Sequence, residues 1–428
     1  MGEGRFVAAG CASAAYASDS WYYGAVVIEA DAWGREIWKV LYPSDPTSQY
    51  ECEAYAVVRT QNEGCLVVGN FYDPSFPSVF SQVLVMNLGQ GGSVRWIKSY
   101  RAERSDSDNG RAATATRDGG YAVAAYTDSP EEGSGVWVFK LDDSGNVVWS
   151  DLIRISSLHS IAACRETSDG GLIVAGTNFH VPGPPCDDYQ HDVWERTWVI
   201  KLDGKGGLKW QKSYSLPIPC NTETTAQSMA VTNDGGFVLA GSIYTNWVYR
   251  IWVAKFNSTG SIIWQKTYNG GNGSSIIQTS DGGYLVTDGI GAAKALKLSP
   301  RGEVQWAKRY WHDLLVTSSL DGAFEKAEGG YVMVSQHGQM IELQSGFEYS
   351  PWVLMSIDQN GDIGPGCQYV LSLASDLQPG PVHIIHDSLR VTRLPAQVRT
   401  LAYSPYPWPA AMVGHDVCPQ ASDGALKK

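Results

Sequence analysis

The chain has 428 residues, a formal net charge of −12 and 18% charged residues. Its Lys and Arg residues are scattered, without a basic stripe that could follow phosphates, so nucleic acid is not an expected partner. No apolar run reaches the roughly 18 residues of a membrane-spanning helix, so no membrane span is expected.

One two-part pattern repeats along the chain. Its first part is a Thr-x-Asp-Gly-Gly turn before a short apolar run, and its second part is a Lys-Leu-Asp-x-x-Gly segment that leads to a Trp. The turn occurs at 116–120, 167–171, 232–236 and 279–283, with looser copies at 60–64 and 326–330 and a truncated copy at Glu3. The Trp residues are Trp38, Trp96, Trp149, Trp210, Trp264 and Trp306. Their spacing of 42 to 61 residues indicates a solenoid or a propeller.

Each repeat is predicted to contain four short strands. Runs such as 121–125 and 136–141 are rich in β-branched and aromatic residues, and no stretch has sustained helical periodicity. Both turns are predicted to be hairpins, because glycine supplies positive φ and the Asp side chain can bond turn amides. The recurring Trp is predicted to pack between neighbouring repeats. These features predict an all-β fold, a seven-bladed β-propeller of four-stranded antiparallel blades.

The predicted blades form a single domain at 1–418. In chain order they span 3–42 plus a C-terminal strand, 50–100, 110–152, 159–214, 226–268, 273–310 and 314–372. The first blade lacks its inner strand, and one of the strand-like runs 382–385 and 397–403 is expected to complete it. The ring would then close by pairing of the N- and C-terminal segments. The composition of 419–428 predicts a disordered tail.

Over residues 3–363, the Asp-Gly-Gly and Lys-Leu-Asp-x-x-Gly-x-x-x-Trp repeats resemble those of uncharacterised bacterial and archaeal propeller proteins. They are also similar to the docking motif of quinoprotein-type propellers. The resemblance implies a fold but hardly a function, because the motifs consist of packing and turn residues. Quinoprotein dehydrogenases usually have eight blades and a quinone site with vicinal cysteines. No adjacent cysteine pair occurs here, so no quinone cofactor is expected.

The eight cysteines include no Cys-x-x-Cys pair, so a thiolate metal site is not expected. Cys65 and Cys164 are predicted to be buried free thiols on strands. The disulfide candidates form two pairs, Cys186 with Cys220 and Cys367 with Cys418. The low charged fraction, with 16 Trp and 22 Tyr, favours an extracellular or cell-surface protein. Residues 1–25 lack the features of a secretory signal, so a virion or cytoplasmic location stays open.

The expected ligand-binding surface is the face that carries the long loops. Loops between second and third strands emerge there with the connections between blades, and the opposite face carries only tight turns. The long loops are rich in aromatic residues and carboxylates, which suits a glycan or a protein partner. The alternative is that the rings pack the loops against one another. The ligand-binding candidates are Trp21, Tyr22, Tyr23, Phe71, Tyr72, Asp187, Asp188, Tyr189, His191, Asp192, Trp247 and Tyr249.

Two acidic segments are candidate metal or catalytic sites. The segment 106–110 looks like the start of a calcium loop, with Asp106 and Asp108 as ligands. The distant Glu of an EF-hand is missing, and a polar connection into the third blade explains the segment equally well. The segment 187–192 could hold a cation or supply an acid and a base, although a solvated loop is the favoured interpretation. Calcium therefore stays open, and no other cofactor is expected.

Three functions remain open from the sequence. A recognition or scaffold propeller that binds a glycan or protein through its long-loop face is favoured, because no Gly-x-Ser-x-Gly elbow or metalloprotease His pair occurs. A glycoside hydrolase or polysaccharide lyase with acidic residues at the channel mouth is the second hypothesis, since two-carboxylate chemistry leaves no sequence motif. A structural component of a virion or extracellular filament is the third. The sequence does not set the oligomeric state.

Overall fold

A computed structural model describes most of the chain. The described residues are 5–15, 21–31, 36–42, 51–72, 81–103, 105–129, 133–155, 157–180, 194–215, 223–245, 248–289, 293–310, 319–336, 341–342, 348–349, 352–363, 370–372, 385–387, 391–395 and 398–402. Nearly all of them are in strands or in the turns that join strands. Within these ranges the single helical element is the 3-10 turn Gln90–Gly92, and no helix has both the length and the apolarity needed to span a bilayer.

The strands are numbered in chain order. They are β1 Phe6–Ala15, β2 Trp21–Ala30, β3 Glu36–Tyr42, β4 Glu51–Arg59, β5 Cys65–Tyr72, β6 Gln82–Leu88, β7 Val94–Ala102, β8 Ser107–Ala115, β9 Tyr121–Asp128, β10 Gly135–Leu141, β11 Val147–Ile155, β12 Leu158–Glu166, β13 Leu172–His180, β14 Trp194–Leu202, β15 Leu208–Ser215, β16 Glu223–Val231, β17 Phe237–Thr245, β18 Val248–Phe256, β19 Ile262–Asn269, β20 Gly273–Gln278, β21 Tyr284–Asp288, β22 Lys294–Leu298, β23 Val304–Tyr310, β24 Ser319–Glu325, β25 Tyr331–Gln336, β26 Ile341–Glu342, β27 Glu348–Tyr349, β28 Trp352–Ile357, β29 Val370–Ser372, β30 Ile385–Asp387, β31 Val391–Pro395 and β32 Val398–Ala402.

Consecutive strands pair antiparallel into seven sheets, which are the blades of a ring. The prediction of a seven-bladed β-propeller with four-stranded antiparallel blades is confirmed. Blades two to six are β4–β7, β8–β11, β12–β15, β16–β19 and β20–β23. The described strands of blade one are β1–β3, and those of blade seven are β24, β25 and β28, with the small hairpin of β26 and β27 between the last two.

The C-terminal strands lie along the outside of the ring. The strands β29, β30, β31 and β32 pair antiparallel with the outermost strands of blades six, four, three and two. Of the two runs expected to complete blade one, the described residues are Ile385, which begins β30, and 398–402, which are β32; these strands pair with blades four and two instead. An outermost strand leaves a row of backbone N–H and C=O groups unpaired, and a following segment can bond to that row.

The hydrophobic core is divided among the gaps between blades. Both faces of a blade are covered by neighbours, so a strand such as β6 is buried along its whole length. Each of seven apolar clusters joins two successive blades. The smallest joins blade seven to blade one, where the ring centroids of Phe6 and Phe324 lie 5.4 Å apart. Side-chain packing therefore connects the first and last blades.

The recurring Trp packs between neighbouring blades, as predicted. In blade two, Trp96 Nε1 donates to the Asp143 carbonyl at 2.9 Å, and the Tyr100 hydroxyl donates to the Gly145 carbonyl at 2.7 Å. Gly145 has a φ of 76°, and a Cβ there would lie 3.0 Å from the Trp96 ring. The glycine of one repeat and the Trp of the preceding repeat therefore form one contact. The other Trp-to-carbonyl bonds are Trp149 to Gly204, Trp264 to Pro300 and Trp306 to Gln359.

The lysine of the Lys-Leu-Asp segment ties the two hairpin turns of its blade together. Lys201 is 6% exposed, and its Nζ lies 2.9 Å from Asp169 of the Asp-Gly-Gly turn. Partial burial opposes ionisation of Asp169, but hydrogen bonds from Thr167 and Lys201 outweigh it and hold its pKa at about 2. The equivalent pairs are Lys140 with Asp118, Lys255 with Asp234 and Lys297 with Asp281. These pairs stabilise the tight-turn face of four blades.

Candidate functional site

The hairpins of the long-loop face extend further than the sequence predicted. Trp21, Tyr22 and Tyr23 begin β2, so their backbone lies in a strand instead of a loop. Phe71 and Tyr72 likewise end β5. Aromatic residues favour extended backbone, which explains why the strands include them.

Phe71 is a core residue and not part of a ligand-binding surface, which corrects its assignment from sequence. It is 6% exposed and belongs to the cluster between blades one and two, with Cys52 and Leu84. The next residue, Tyr72, is 38% exposed. Successive side chains of a strand point to opposite faces, so only one of the two can reach solvent.

Several candidates lie outside the described residues. They are Asp187, Asp188, Tyr189, His191, Asp192 and Trp247, together with the disulfide candidates Cys186, Cys220, Cys367 and Cys418. Ligand binding by the first group and both disulfides therefore stay predictions. The described cysteines Cys11, Cys52, Cys65 and Cys164 are free thiols. Cys65 and Cys164 are buried as predicted, and burial raises the pKa of each thiol to about 12.

Aromatic and titratable side chains meet at the long-loop end of blades four and five. This group, the mouth site, consists of His159, Phe179, Glu195, Glu223, Tyr244 and Tyr249. Its members lie at or next to the ends of β12, β13, β14, β16, β17 and β18. Since these six strand ends belong to two adjacent blades, the repeat itself brings the side chains together.

His159 connects the blade-four part of the mouth site. Its Nδ1 lies 2.7 Å from Glu195 Oε1, and its ring stacks on Phe179 with centroids 4.3 Å apart. The hydrogen bond to Glu195 raises the pKa of His159 against the opposing effect of burial. His159 therefore holds a proton at higher pH than a free imidazole does, and the protonated ring partly neutralises Glu195.

Glu223 and a tyrosine pair form the blade-five part. Burial, and then the charge of Glu195, raise the pKa of Glu223, while the Tyr249 hydroxyl at 3.4 Å opposes that shift. Tyr249 packs against Tyr244 with ring centroids 4.5 Å apart, and it is 42% exposed. The mouth site thus presents an exposed ring beside two carboxylates that repel each other.

Asp108 lies inside the connection from blade two to blade three. Its Oδ2 accepts a hydrogen bond from the Ala102 N–H at 2.9 Å, whereas the Asp106 N–H donates to the Asp128 carbonyl. Burial raises the pKa of Asp108 to about 6, although hydrogen bonds, first from Thr127, oppose the shift. These contacts agree with a polar connection. Calcium at Asp106 and Asp108 stays a prediction, and no group of three potential metal-ligating residues occurs in the described ranges.

Sequence reasoning identified Tyr249 but not the importance of His159 and Glu223. Both precede the Thr of their blade's Asp-Gly-Gly turn by eight or nine residues, at Thr167 and Thr232. That offset places them where an inner strand begins, at the long-loop end. The offset indicates which end of the blade they occupy, but not that they meet across two blades.

Comparison with known proteins shows no family. No protein-family model and no curated protein matches the sequence. Among solved structures, a protein of unknown function from Bacteroides caccae is similar at 10% identity and a TM-score of 0.37, over 87% of this chain and 99% of that chain. The Dos1 propeller is similar at 9% identity and a TM-score of 0.41, over 78% and 74%. Sqt1 from Chaetomium thermophilum is similar at 11% identity and a TM-score of 0.43, over 84% and 82%. No function is inferred from these likenesses.

Proposed function

We propose that the protein is a recognition scaffold, extracellular or at the cell surface, that binds a glycan or protein through its long-loop face. The observation that carries this proposal is the mouth site. Tyr249 keeps 42% of its surface exposed beside the carboxylates of Glu195 and Glu223. An exposed aromatic ring next to convergent polar groups is typical of ligand sites.

The two faces of the propeller differ in a way that supports this proposal. On the tight-turn face, recurring Lys–Asp and Trp–carbonyl contacts use the polar groups of the turns for the fold itself. The residues at this end of the blades differ from repeat to repeat: His159 and Glu223 of the mouth site correspond in position to Cys52 and Glu51 of blade two. Functional residues are expected where a rigid scaffold varies.

Sedimentation with insoluble polysaccharides and capture of candidate protein partners tests the proposal. Tyr249→Ala should weaken binding by about tenfold, the typical loss for a tyrosine anchor at an interface. Ile263→Ala is the matched control, because Ile263 is 56% exposed on the outer strand β19 of the same blade. Equal binding by wild type and Tyr249→Ala would argue against the mouth site as the ligand site.

A second candidate function is a glycoside hydrolase or polysaccharide lyase, and the charge arrangement of the mouth site favours it. Glu223 has a raised pKa, as a general acid needs, and Glu195 and His159 are electrostatically coupled to it. In a hydrolase, Glu223 would protonate the leaving oxygen while the second carboxylate accepts a proton from the attacking water. Mass spectrometry would detect new soluble fragments after incubation with polysaccharides, and Glu223→Gln should abolish them.

A further inference from the structure

Six inner strands carry a β-bulge at the same place. In each strand, one extra residue interrupts the pairing with the second strand, five residues before the first residue of the Asp-Gly-Gly turn. These extra residues, the bulge ring, are Tyr55, Arg111, Ala162, Gln227, Ser274 and Asp321. A bulge breaks the alternation of a strand and redirects one side chain.

The bulge ring surrounds the axis of the propeller. Inner strands of successive blades contact one another, so solvent reaches their exposed residues from the central channel. Tyr55, Gln227 and Asp321 are exposed, whereas most residues of the strands around them are buried or half-buried. In blades two, four and five a glycine stands opposite the bulge, and a Cβ at Gly69 would lie 1.7 Å from the backbone oxygen of Glu53.

The residue at the bulge differs in each of the six blades whose inner strand is described, although the turn that follows it repeats. The ring contains an aromatic ring, a cation, a methyl group, an amide, a hydroxyl and a carboxylate. The Trp and Asp-Gly-Gly positions repeat because they maintain the fold. Two of the bulge residues also have structural contacts, since Ser274 bonds the Leu320 carbonyl and Ala162 packs against the core between blades four and five. A variable position on a repeated bulge can therefore determine ligand specificity.

Two neighbouring members of the ring form a defined site with residues of blade two. The guanidinium carbon of Arg111 lies 4.0 Å from the centroid of the Tyr55 ring. The Tyr55 hydroxyl donates to Glu53 Oε2 at 2.6 Å, and Asn70 Nδ2 donates to the same oxygen at 3.2 Å. Asn70 is 9% exposed, and its Oδ1 has no hydrogen-bond partner in the described part of the chain.

This site combines an exposed ring with planar donors and acceptors. Stacking on the Tyr55 ring holds the planar guanidinium of Arg111, so its N–H donors point in fixed directions. Glu53 supplies oxygen acceptors for ligand hydroxyls, and Asn70 holds the Glu53 carboxylate in place by donating to its Oε2. The charges of Arg111 and Glu53 offset each other, which favours a neutral polar ligand over an ion.

We infer that the central channel is a second binding surface, and that Tyr55 and Arg111 hold one unit of a neutral glycan there. The apolar C–H face of the sugar packs on the Tyr55 ring, and Arg111 and Glu53 bond its hydroxyls. This inference rests on the proposed function with a glycan as the ligand. Beyond the proposed function, it names the part of the channel that contacts the glycan and the chemistry of the sugar unit bound there.

Isothermal titration calorimetry on the full chain tests the inference. The probes are cellotetraose, maltotetraose, tetra-N-acetylchitotetraose and mannotetraose, with tetragalacturonate as an anionic comparison. Arg111→Gln should weaken binding of a neutral tetrasaccharide by about tenfold. Tyr55→Phe keeps the ring, removes the hydroxyl and should weaken binding less. Arg301→Gln is the matched control, because Arg301 is exposed on a tight turn of blade six and its substitution changes charge equally.

Circular dichroism and the thermal midpoint of each variant establish that it is folded. Weaker binding by Arg111→Gln with unchanged binding by Arg301→Gln would support the inference. Unchanged binding by Arg111→Gln, tighter binding of tetragalacturonate, or no binding of any neutral tetrasaccharide would overturn it. If Tyr249→Ala lost binding while Arg111→Gln and Tyr55→Phe bound normally, the channel site would be overturned and the proposed function of the long-loop face would stand.

Discussion

At the scale of single residues, the buried carboxyl of Asp108 links the fold to pH. Its folded pKa of about 6 lies above the ordinary value of about 3.9. Because the pKa of Asp108 is higher in the folded protein than in the unfolded chain, protonation of this carboxyl favours the folded state. The resulting contribution to the free energy of unfolding is complete below the ordinary pKa and is lost as pH rises through 6. The connection between blades two and three is thus expected to be less stable at neutral pH than at pH 4.

Asp108→Asn tests this dependence. The amide cannot ionise, so the stability of the variant relative to wild type should increase between pH 4 and pH 8, by at most about 3 kcal/mol. Urea unfolding at a series of pH values measures the difference. A difference between the two proteins that stays constant with pH would contradict the assigned burial of the charge.

Tyr249 and Phe71 show what single residues reveal about a site before a structure is known. Both were assigned to the long-loop face from aromatic character, and the structure buries Phe71 while leaving Tyr249 exposed. Which side of a strand a residue occupies depends on the register and on where the strand ends. His159 and Glu223 come together only across two blades, so their local sequence does not mark them.

At the scale of the elements, the glycine of one repeat packs against the Trp of the preceding repeat. The stability that this packing contributes can be separated from the backbone strain of a glycine substitution. Gly302 and Gly170 both have a φ of 75°. A Cβ at Gly302 would lie 2.8 Å from the Trp264 ring, whereas a Cβ at Gly170 would meet no atom within 4 Å. The two positions therefore form a matched pair.

Gly302→Ala should destabilise the protein more than Gly170→Ala. Both substitutions carry the strain of a left-handed alanine, about 1 to 2 kcal/mol, and Gly302→Ala adds about 1 to 3 kcal/mol for overpacking against Trp264. Denaturant unfolding gives both free energies. Equal losses would show that Trp264 can move aside and that the interblade contact is loose.

The Lys–Asp pairs make a second prediction about the elements. Lys255 is 4% exposed, and Asp234 Oδ2 lies 2.9 Å from its Nζ. Asp234→Ala should destabilise the protein by about 1 to 3 kcal/mol, because the lysine is left buried without its carboxylate. Adding Lys255→Met should restore part of the loss, since the buried charge is removed. Further destabilisation in the double variant would contradict this account.

At the scale of the whole molecule, the sequence repeat predicted the blades but did not predict how the C-terminal strands pair with them. The Trp and Asp-Gly-Gly positions predicted the blades because they form the contacts that repeat. The pairing of β30 and β32 depends on backbone groups at blade edges, which carry no residue signature. The sequence therefore showed strand-like runs near the C-terminus without showing which blade they join.

The strands β29 to β32 each add a fifth strand to a blade. Removing them, in a chain shortened to residue 363, should change the hydrogen exchange of the strands with which they pair. Amides of the outermost strands β7, β11, β15 and β23 should exchange faster than in the full chain, because their pairing partners are removed. The outermost strand β19 of blade five has no fifth strand in the described ranges and serves as the internal control. Unchanged exchange in the four strands would contradict the described pairing.

In the proposed function the ligand binds the long-loop face of blades four and five. Hydrogen exchange of the full chain, with and without a polysaccharide or protein that co-sediments with it, tests this most directly. Binding should slow exchange near Glu223 and in 244–245 and 248–251, and leave the tight turns 232–236 and 257–261 unchanged. Slowed exchange confined to those tight turns would place the ligand on the opposite face and contradict the account.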